Sequence, residues 1–327
     1  MNLQDFLPPE LRGPDTTVEP IAVGFSGDGV YRVRAGGHDL VLKLSGQDQP
    51  AAEWRRKLRI QQLASDAGLA PRIVHVDEAG RAVVSVFVAD RSLPTFYFNP
   101  QTHDQAVRML GRTVRRVHDL PLPAAEAGAP HASHPRPADP RAFLADTWAR
   151  VDGFALPRYV GDVVRHTLAE EPPVLGERLV LSHNDLNPTN LVFDGEGIVL
   201  LDWETAAPND PCYDLAVLAL FLRMDEPTCL RLLSAYEDGP VDRLPGAFPY
   251  FRRLAPLLVG TTFLGLARDT GSPGAAEDET PDSTPSLGEV YQRMRSGEVD
   301  IASAEGKLRF GLALVKEAMV GETAPAR

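Results

Sequence analysis

The stretch from Arg178 to Glu204, RLVLSHNDLNPTNLVFDGEGIVLLDWE, decides how this chain of 327 residues folds. An apolar run leads into a polar loop, and two further apolar runs are separated by Asp194–Gly197, which contains two glycines. Short β-rich runs around such a turn predict a β-hairpin with strands at Leu191–Phe193 and Ile198–Leu201. Because the hairpin ends directly on Asp202, its return brings Asn190 and Asp202 together in space.

The polar loop has the residues that phosphoryl transfer requires. Asp185 is followed five residues later by Asn190 and, across the hairpin, by Asp202. Phosphoryl transfer needs a carboxylate that orients the acceptor hydroxyl, oxygen ligands for Mg²⁺ and a cation on the nucleotide phosphates. Mg²⁺ keeps several waters, so one Asn and one carboxylate are sufficient protein ligands. An ordinary loop rich in turn-forming Asn and Asp is the alternative, but the complete His-x-Asp-x-x-x-x-Asn pattern between apolar strands favours the chemical interpretation.

The first ninety residues indicate a small antiparallel sheet with one helix. Segment Ala51–Ala67 lacks Gly and Pro and predicts a helix that Gly68 ends. Lys43 lies in a strand-like run, where it provides the cation that the chemistry needs. Short β-rich runs predict strands at Ile21–Val23, Val30–Val33, Leu40–Leu44 and Ala82–Val88.

Helical spacing of apolar residues dominates from Asp104 onward. Helices are predicted at Asp104–His118, Arg141–Val151, Tyr159–Leu168, Tyr213–Arg223, Pro227–Ala235 and Phe248–Ala267. Pro121–Pro140 indicates a surface connection, and the acidic segment Gly271–Ser286 a mobile loop. We therefore expect an α+β protein with a small N-lobe at residues 1–89 and a larger, mainly helical C-lobe at residues 90–327, joined by a hinge near Ser85–Asp90.

Composition and charge exclude several classes of function. The net charge of −12 argues against broad nucleic-acid binding, which needs a basic surface, and is compatible with a cationic substrate. No apolar run approaches the length that a membrane span requires. The N-terminus lacks a basic segment before an apolar stretch, and the two cysteines, Cys212 and Cys229, have no metal-ligand spacing around them. We expect a cytoplasmic protein with free thiols; its oligomeric state is not indicated.

The motif resembles that of the aminoglycoside phosphotransferase and choline kinase superfamily, whose fold is similar to that of protein kinases. The matching segments are His183-Asn-Asp-Leu-Asn-Pro-Thr-Asn190, Leu201-Asp-Trp-Glu204 and Asn209-Asp-Pro-Cys-Tyr-Asp-Leu-Ala216. The resemblance implies that Asp185 is the catalytic base and that Asn190 and Asp202 hold Mg²⁺. It also implies ATP as phosphoryl donor, with His183 and Asp214 in supporting positions.

The resemblance extends upstream to the nucleotide-binding residues. The turn Gly24-Phe-Ser-Gly-Asp-Gly-Val-Tyr-Arg-Val33 is similar to the family's phosphate-covering turn, and it implies that Ser26, Gly27 and Asp28 contact ATP. Backbone N–H groups of a glycine-rich turn can approach phosphate oxygens closely. Lys43 is then the phosphate-binding lysine. Hinge residues Val86 and Val88 are expected to contact the nucleotide.

One position departs from the family pattern. Related enzymes pair the lysine with a Glu on the following helix, and the usual position is occupied by Lys57. Glu53 lies one turn earlier on the same face and can substitute if the helix is shifted. Otherwise Glu53 and Lys57 form an exposed i,i+4 pair, and Lys43 is held by a loop carboxylate or by nucleotide alone.

We expect the acceptor to be a small hydroxylated molecule, which is aminoglycoside-like, choline-like or another hydroxylated metabolite. Only Trp203–Tyr213 separates Asp202 from the next predicted helix, too short for the peptide platform of a protein kinase. Carboxylates would surround a polycation, whereas aromatic faces would enclose a quaternary ammonium; Glu204, Asp210 and Tyr213 are candidate substrate contacts. A nucleotide-binding pseudokinase that acts through partners is the alternative function, and Lys57 at the glutamate position is its best support.

Overall fold

The computed structural model describes residues 2–21, 29–122, 139–173 and 179–320. The strands are β1 Thr17–Pro20, β2 Gly29–Ala35, β3 His38–Leu44, β4 Ile73–Asp77, β5 Ala82–Val86, β6 Val180–Ser182, β7 Leu191–Phe193, β8 Ile198–Leu200 and β9 Ala207–Asn209. The helices are α1 Ala51–Asp66, α2 Leu93–Phe98, α3 His103–His118, α4 Pro140–Arg150, α5 Arg158–Ala169, α6 Pro211–Phe221, α7 Glu226–Glu237, α8 Ala247–Asp269, α9 Leu287–Arg295 and α10 Ala304–Val320. None of these helices is long and apolar enough to cross a bilayer.

The contacts divide the chain into two compact units. The first comprises Met1–Pro135, Asp185–Ala207 and Arg231–Pro240, and the second Arg136–Asn184, Pro208–Leu230 and Val241–Arg327. The expected antiparallel sheet followed by a mainly helical part is confirmed. The predicted division into lobes at residues 89 and 90 stays a prediction.

The first unit contains a five-stranded antiparallel sheet in the order β1-β2-β3-β5-β4. Alternation along the strands sends successive side chains to opposite faces. One face buries a cluster that includes Leu40, Leu42 and Val84, while Val83 on the other face packs with Trp54 of α1. Lys43 lies directly opposite Val83 in the register of β3 and β5, so both side chains belong to the α1 face.

Most strand predictions in this unit are confirmed, with differences at its edges. β2, β3 and β5 lie where predicted, and α1 ends before Gly68, whose φ of +66° suits a glycine. β1 and β4 were not predicted, because an exposed edge strand and a half-buried strand have no strong apolar alternation. The predicted strand Ile21–Val23 lies, except for Ile21, outside the described residues.

The predicted hairpin is confirmed in the same unit. β7 and β8 pair antiparallel with Leu191 opposite Leu200 and Phe193 opposite Ile198. The Asp194 carboxylate accepts hydrogen bonds from the N–H groups of Glu196 (2.8 Å) and Gly197 (2.7 Å), which closes the turn.

Helices form the second unit. α8 packs against α10, α6 and α4. α6 is buried on all sides from Tyr213 to Phe221, as expected of a helix that is apolar all round. A buried hydrogen bond of 2.7 Å joins the hydroxyls of Thr147 on α4 and Thr261 on α8.

The helix predictions are confirmed to within a few residues, while the loop predictions have mixed outcomes. Most of Pro121–Pro140 lies outside the described residues. Segment Gly271–Ser286, predicted to be a mobile loop, is irregular but is packed within the second unit. The Ala275 N–H donates to the Ala155 carbonyl (2.9 Å), and Thr284, only 2% exposed, has its carbonyl bonded by the Lys316 ammonium (2.6 Å).

Candidate active site

Two asparagines of the polar loop hold the Asp185 carboxylate. The Asn190 side-chain N–H donates to Asp185 Oδ2 (2.9 Å) and to the Asp185 backbone carbonyl (3.0 Å). Asn187 donates to the other carboxylate oxygen, Oδ1, at 2.8 Å. Since the Asn190 amide nitrogen is used in this way, its amide oxygen is the atom that can serve as a metal ligand.

Asn187 is a residue of the candidate site that sequence reasoning missed. Its side-chain oxygen accepts from the Thr189 N–H (2.9 Å) and so caps the short 3₁₀ turn Pro188–Asn190. An Asn immediately before a Pro at a helix start is a recognisable capping signal. The Asn187 side chain therefore both caps the local turn and orients the Asp185 carboxylate.

The hairpin brings Asn190 and Asp202 together by backbone hydrogen bonds. The Leu201 N–H donates to the Asn190 carbonyl at 2.9 Å, one residue before Asp202. Asp202 has a φ of +55°, an uncommon conformation that Asp tolerates better than most residues. The 3₁₀ turn Trp203–Thr205 follows, anchored by the Trp203 indole N–H on the Leu200 carbonyl (3.0 Å).

Lys43 pairs with two carboxylates beyond the hairpin. Its ammonium lies 3.0 Å from Asp202 Oδ1 and also contacts Glu204 Oε1. Burial is the largest influence on the pKa of Lys43 and lowers it, but Asp202 and Glu204 together outweigh burial and raise this pKa above its ordinary value. Lys43 therefore carries a positive charge throughout the physiological pH range.

The predicted pairing of Glu53 with Lys43 is not what the structure shows. Glu53 accepts from Gln49 (3.2 Å) and forms an i,i+4 pair with Lys57 (3.2 Å), the other alternative left open by the sequence. Glu204 takes the place beside Lys43. Helix α1 contacts the turn that contains Glu204, since Arg56 donates to the Ala206 carbonyl at 3.3 Å.

The remaining predicted nucleotide contacts are scattered. Ser26, Gly27 and Asp28 lie outside the described residues. Val86 ends β5 on the face opposite Lys43 and packs against the apolar cluster there. Val88 follows the strand and is half-buried.

The predicted substrate contacts Asp210 and Tyr213 lie in the second unit. Asp210 is 2% exposed and caps α6, because its carboxylate accepts from the Cys212 N–H at 2.8 Å. Tyr213 is buried, with its ring edge-on to Phe251 at 5.5 Å. Both residues have structural positions, and a role in substrate binding stays a prediction.

A buried carboxylate in the second unit fixes the start of the catalytic loop. Asp214, fully buried, accepts from the backbone N–H groups of His183 and Asn184 at 2.8 Å each. Asn184 has a φ of +66°, and its side-chain oxygen accepts from Asn209 at 2.8 Å. The supporting position expected for Asp214 is confirmed, since its carboxylate holds the backbone of the loop.

The donor atoms of this site suit Mg²⁺. The Asn190 amide oxygen and the Asp202 carboxylate are hard oxygen ligands, and Mg²⁺ usually completes its shell with waters and substrate phosphates. Within residues 2–21, 29–122, 139–173 and 179–320, no group of three or more His, Cys, Asp and Glu side chains forms a denser metal site.

Comparison with known proteins gives a family and a fold. The model of the phosphotransferase enzyme family matches residues 17–257. A choline/ethanolamine kinase family protein from Mesorhizobium loti is similar in structure, with 21% identity, 93% of this chain and 92% of that chain covered and a TM-score of 0.58. Comparison with curated proteins gives no match.

Two further solved structures have a similar fold. Choline kinase LicA from Streptococcus pneumoniae has 18% identity, with 88% of this chain and 93% of that chain covered and a TM-score of 0.58, and LicA also matches in its complex with AMP. Macrolide 2'-phosphotransferase from Brachybacterium faecium has 23% identity, with coverage of 80% and 89% and a TM-score of 0.52.

Proposed function

Since the chain belongs to the phosphotransferase enzyme family and has its protein-kinase-like fold, we propose that it transfers the γ-phosphoryl group of ATP to a hydroxyl of a small molecule. One observation carries the proposal. Asp185 is oriented by Asn190, the hairpin joins Asn190 to the segment of Asp202, and Asp202 pairs with Lys43. Base, metal ligands and phosphate cation are thereby connected within one compact unit.

In the proposed reaction Asp185 orients the acceptor and receives its proton. The acceptor hydroxyl donates a hydrogen bond to the Asp185 carboxylate and transfers its proton there as its oxygen bonds to the γ-phosphorus. The bond from the γ-phosphorus to the β–γ bridging oxygen breaks, and ADP leaves with that oxygen. Such reactions depend mainly on positioning and on charge stabilisation, which agrees with the double anchoring of Asp185 by Asn187 and Asn190.

Mg²⁺, when bound through Asn190 and Asp202, neutralises phosphate charge. The Lys43 ammonium binds the nucleotide phosphates. Glu204 pairs with this ammonium and holds it next to the metal-binding segment. Because Glu204 provides the carboxylate beside Lys43 that α1 does not provide, Lys57 at the usual glutamate position is weak support for a pseudokinase. An active phosphotransferase is the better conclusion.

The acceptor class stays open between an amino alcohol and an aminoglycoside-like molecule. Choline, ethanolamine and macrolide kinases are all among the similar structures. The net charge of −12 agrees with a cationic acceptor.

A screen for acceptor-dependent ADP release tests the proposal. Purified protein with ATP and Mg²⁺ is offered choline, ethanolamine, thiamine, sugars and aminoglycosides, and a phosphorylated product is sought by mass spectrometry. We expect one class to give product with the wild type and almost none with Asp185→Asn. ATP binding without product over the whole panel would favour the pseudokinase alternative.

A further inference from the structure

A cavity of about 400 Å³ lies in the first unit, between helix α3 and the turn of the β7–β8 hairpin. Its volume lies in the range of small-molecule sites. Residues of α3 form one wall, and Asp194, Glu196 and Ile198 belong to the opposite wall. The residues that line it take no part in the proposed phosphoryl transfer.

Three arginines dominate the α3 wall. Arg108, Arg112 and Arg116 are spaced four residues apart, so they lie on one face of the helix, and all three are exposed. In the part of the chain that the structure describes, none of them forms an ion pair. Arg116 makes one hydrogen bond, to the Ala67 carbonyl at 2.6 Å. Like charges at this spacing destabilise a helix, so an external anion would relieve their repulsion.

Arg115 on the same helix shows the contrast. It pairs with Asp119 at 3.0 Å and lies 5.7 Å from the centre of the Tyr236 ring. The charge of Arg115 is therefore compensated within the protein, whereas the three cavity arginines meet the open space of the cavity.

The opposite wall is only weakly acidic in effect. The Asp194 carboxylate is turned onto the N–H groups of its own turn, which offset part of its charge. Glu196 is the remaining acidic group, and Met109, Ile198 and Val199 add apolar surface. The lining thus combines three guanidinium groups, the partly compensated carboxylate of Asp194, the carboxylate of Glu196 and an apolar portion.

We propose that this cavity binds a small organic molecule that carries phosphate. Guanidinium groups bind phosphate through paired, charge-assisted hydrogen bonds, and neighbouring arginines at i,i+4 are about 5–6 Å apart at their Cβ atoms, close enough to share one ligand. The apolar surface accommodates the carbon skeleton of the ligand. A nucleic acid is disfavoured, because the site is a limited cavity on a chain of net charge −12.

The site also adjoins the catalytic hairpin. Ile198 and Val199, which line the cavity, are the first two residues of the three-residue strand β8. The third, Leu200, donates its N–H to the Leu69 carbonyl at 2.8 Å, and Leu69 follows Gly68, another lining residue. A ligand in the cavity therefore contacts the strand that leads to Asp202. A regulatory effect on the metal-binding segment rests on the proposed function, whereas binding itself does not.

The binding test uses inorganic pyrophosphate as the probe, with Lys43→Ala as the background that weakens binding at the nucleotide site. Calorimetric titration without Mg²⁺ compares this background with the same protein carrying Arg112→Gln, Arg115→Gln or Glu196→Gln. We expect Arg112→Gln to weaken binding about tenfold, since it removes a charge-assisted contact. Arg115→Gln, which removes the same charge from the same helix, should change it little, and Glu196→Gln should tighten it.

If Arg112→Gln and Arg115→Gln weakened pyrophosphate binding equally, the effect would come from the net charge of the protein, and the proposal would be overturned. Absence of pyrophosphate binding in the Lys43→Ala background, with binding in the wild type, would also overturn it by assigning the anion to the nucleotide site. Binding of an acidic peptide without binding of pyrophosphate would replace the proposed ligand with a macromolecule.

Hydrogen exchange tests the connection to the hairpin without requiring activity. Pyrophosphate should slow exchange of the Leu200 and Leu201 amides in the Lys43→Ala protein, and the same slowing should require about tenfold more pyrophosphate when Arg112→Gln is added. Unchanged exchange at both amides under saturating pyrophosphate would remove the regulatory part of the inference.

Discussion

The cluster of Asp185, Asn187, Asn190 and Asp202 in the first unit, where we propose catalysis, and the helical layer of the second unit are stabilised in different ways. The cluster is built on strands of three residues, and single hydrogen bonds such as those from Asn187 and Asn190 fix the position of Asp185. The helical layer around α8 depends on buried apolar area and close backbone contact. Substitutions in the cluster should therefore change chemistry more than stability, and substitutions in the helical layer the reverse.

The largest effect is expected from Asp185→Asn. The substituted amide keeps the shape of the side chain but cannot accept the acceptor's proton, so kcat should fall by about 10³-fold, within the usual range for loss of a general base. Nucleotide affinity should be nearly unchanged. Steady-state kinetics and calorimetric titration with a nonhydrolysable ATP analogue measure the two quantities. Unchanged turnover would contradict the role of Asp185 as base.

The sequence predicted the cluster well because its residues are close together along the chain. Asp185, Asn190 and the hairpin are all encoded within 18 residues, so turn and strand propensities determine their geometry. The partner of Lys43 could not be predicted in the same way. Lys43 and Glu204 are 161 positions apart, and their contact depends on how the Trp203–Thr205 turn packs against α1.

Helix α6 illustrates the same limit for the second unit. Its apolar run predicted a helix, but not that Asp214 would bond the loop backbone at His183 and Asn184, 31 and 30 positions away. The half-buried strand β4 was missed because tertiary pairing with β5, and not local alternation, decides its conformation.

Asp214→Ala tests whether a buried carboxylate of the helical unit contributes mainly to stability, as the rest of that unit is expected to do. The substitution leaves two N–H groups, one buried and one partly buried, without their acceptor, and it should lower the free energy of unfolding by about 3 kcal/mol. Denaturant unfolding provides the measurement. Asp210→Ala is the comparison, since it removes the capping bond from the Cys212 N–H, a loss that should cost about 1 kcal/mol. Equal losses for the two variants would show that the Asp214 bonds are not special.

Gly260→Ala and Gly265→Ala, both on α8, should shift stability in opposite directions. A Cβ at Gly260 would lie 3.0 Å from the Gly311 carbonyl oxygen of α10, so helix separation should cost about 2 kcal/mol. At Gly265 the nearest atom is 3.8 Å away, and the better helix propensity of Ala should stabilise by up to about 1 kcal/mol. Thermal unfolding compares them, and turnover below the unfolding range should be preserved in both. Stabilisation by Gly260→Ala would contradict the close approach of α8 and α10.

The smallest effect concerns the partner of Lys43 and compares Glu204→Gln with Glu53→Gln. Loss of the Glu204 charge removes one of the carboxylates that contact the Lys43 ammonium, so we expect kcat/KM for ATP to fall about tenfold, as for loss of one charge-assisted contact. Glu53→Gln breaks only the exposed pair with Lys57 and should leave kcat/KM unchanged.

The decline of activity at high pH distinguishes a positioning role of Glu204 from a general structural effect of its substitution. In the wild type the carboxylates raise the pKa of Lys43 despite burial, so its charge is lost only as pH rises through this elevated value. Without the Glu204 charge, burial is opposed less strongly and the pKa of Lys43 falls. Activity of Glu204→Gln should then begin to decline at a lower pH than that of the wild type, while Glu53→Gln follows the wild-type profile. A shift of the same size in Glu53→Gln would instead show that the partner of Lys43 lies on helix α1, as the family pattern predicts.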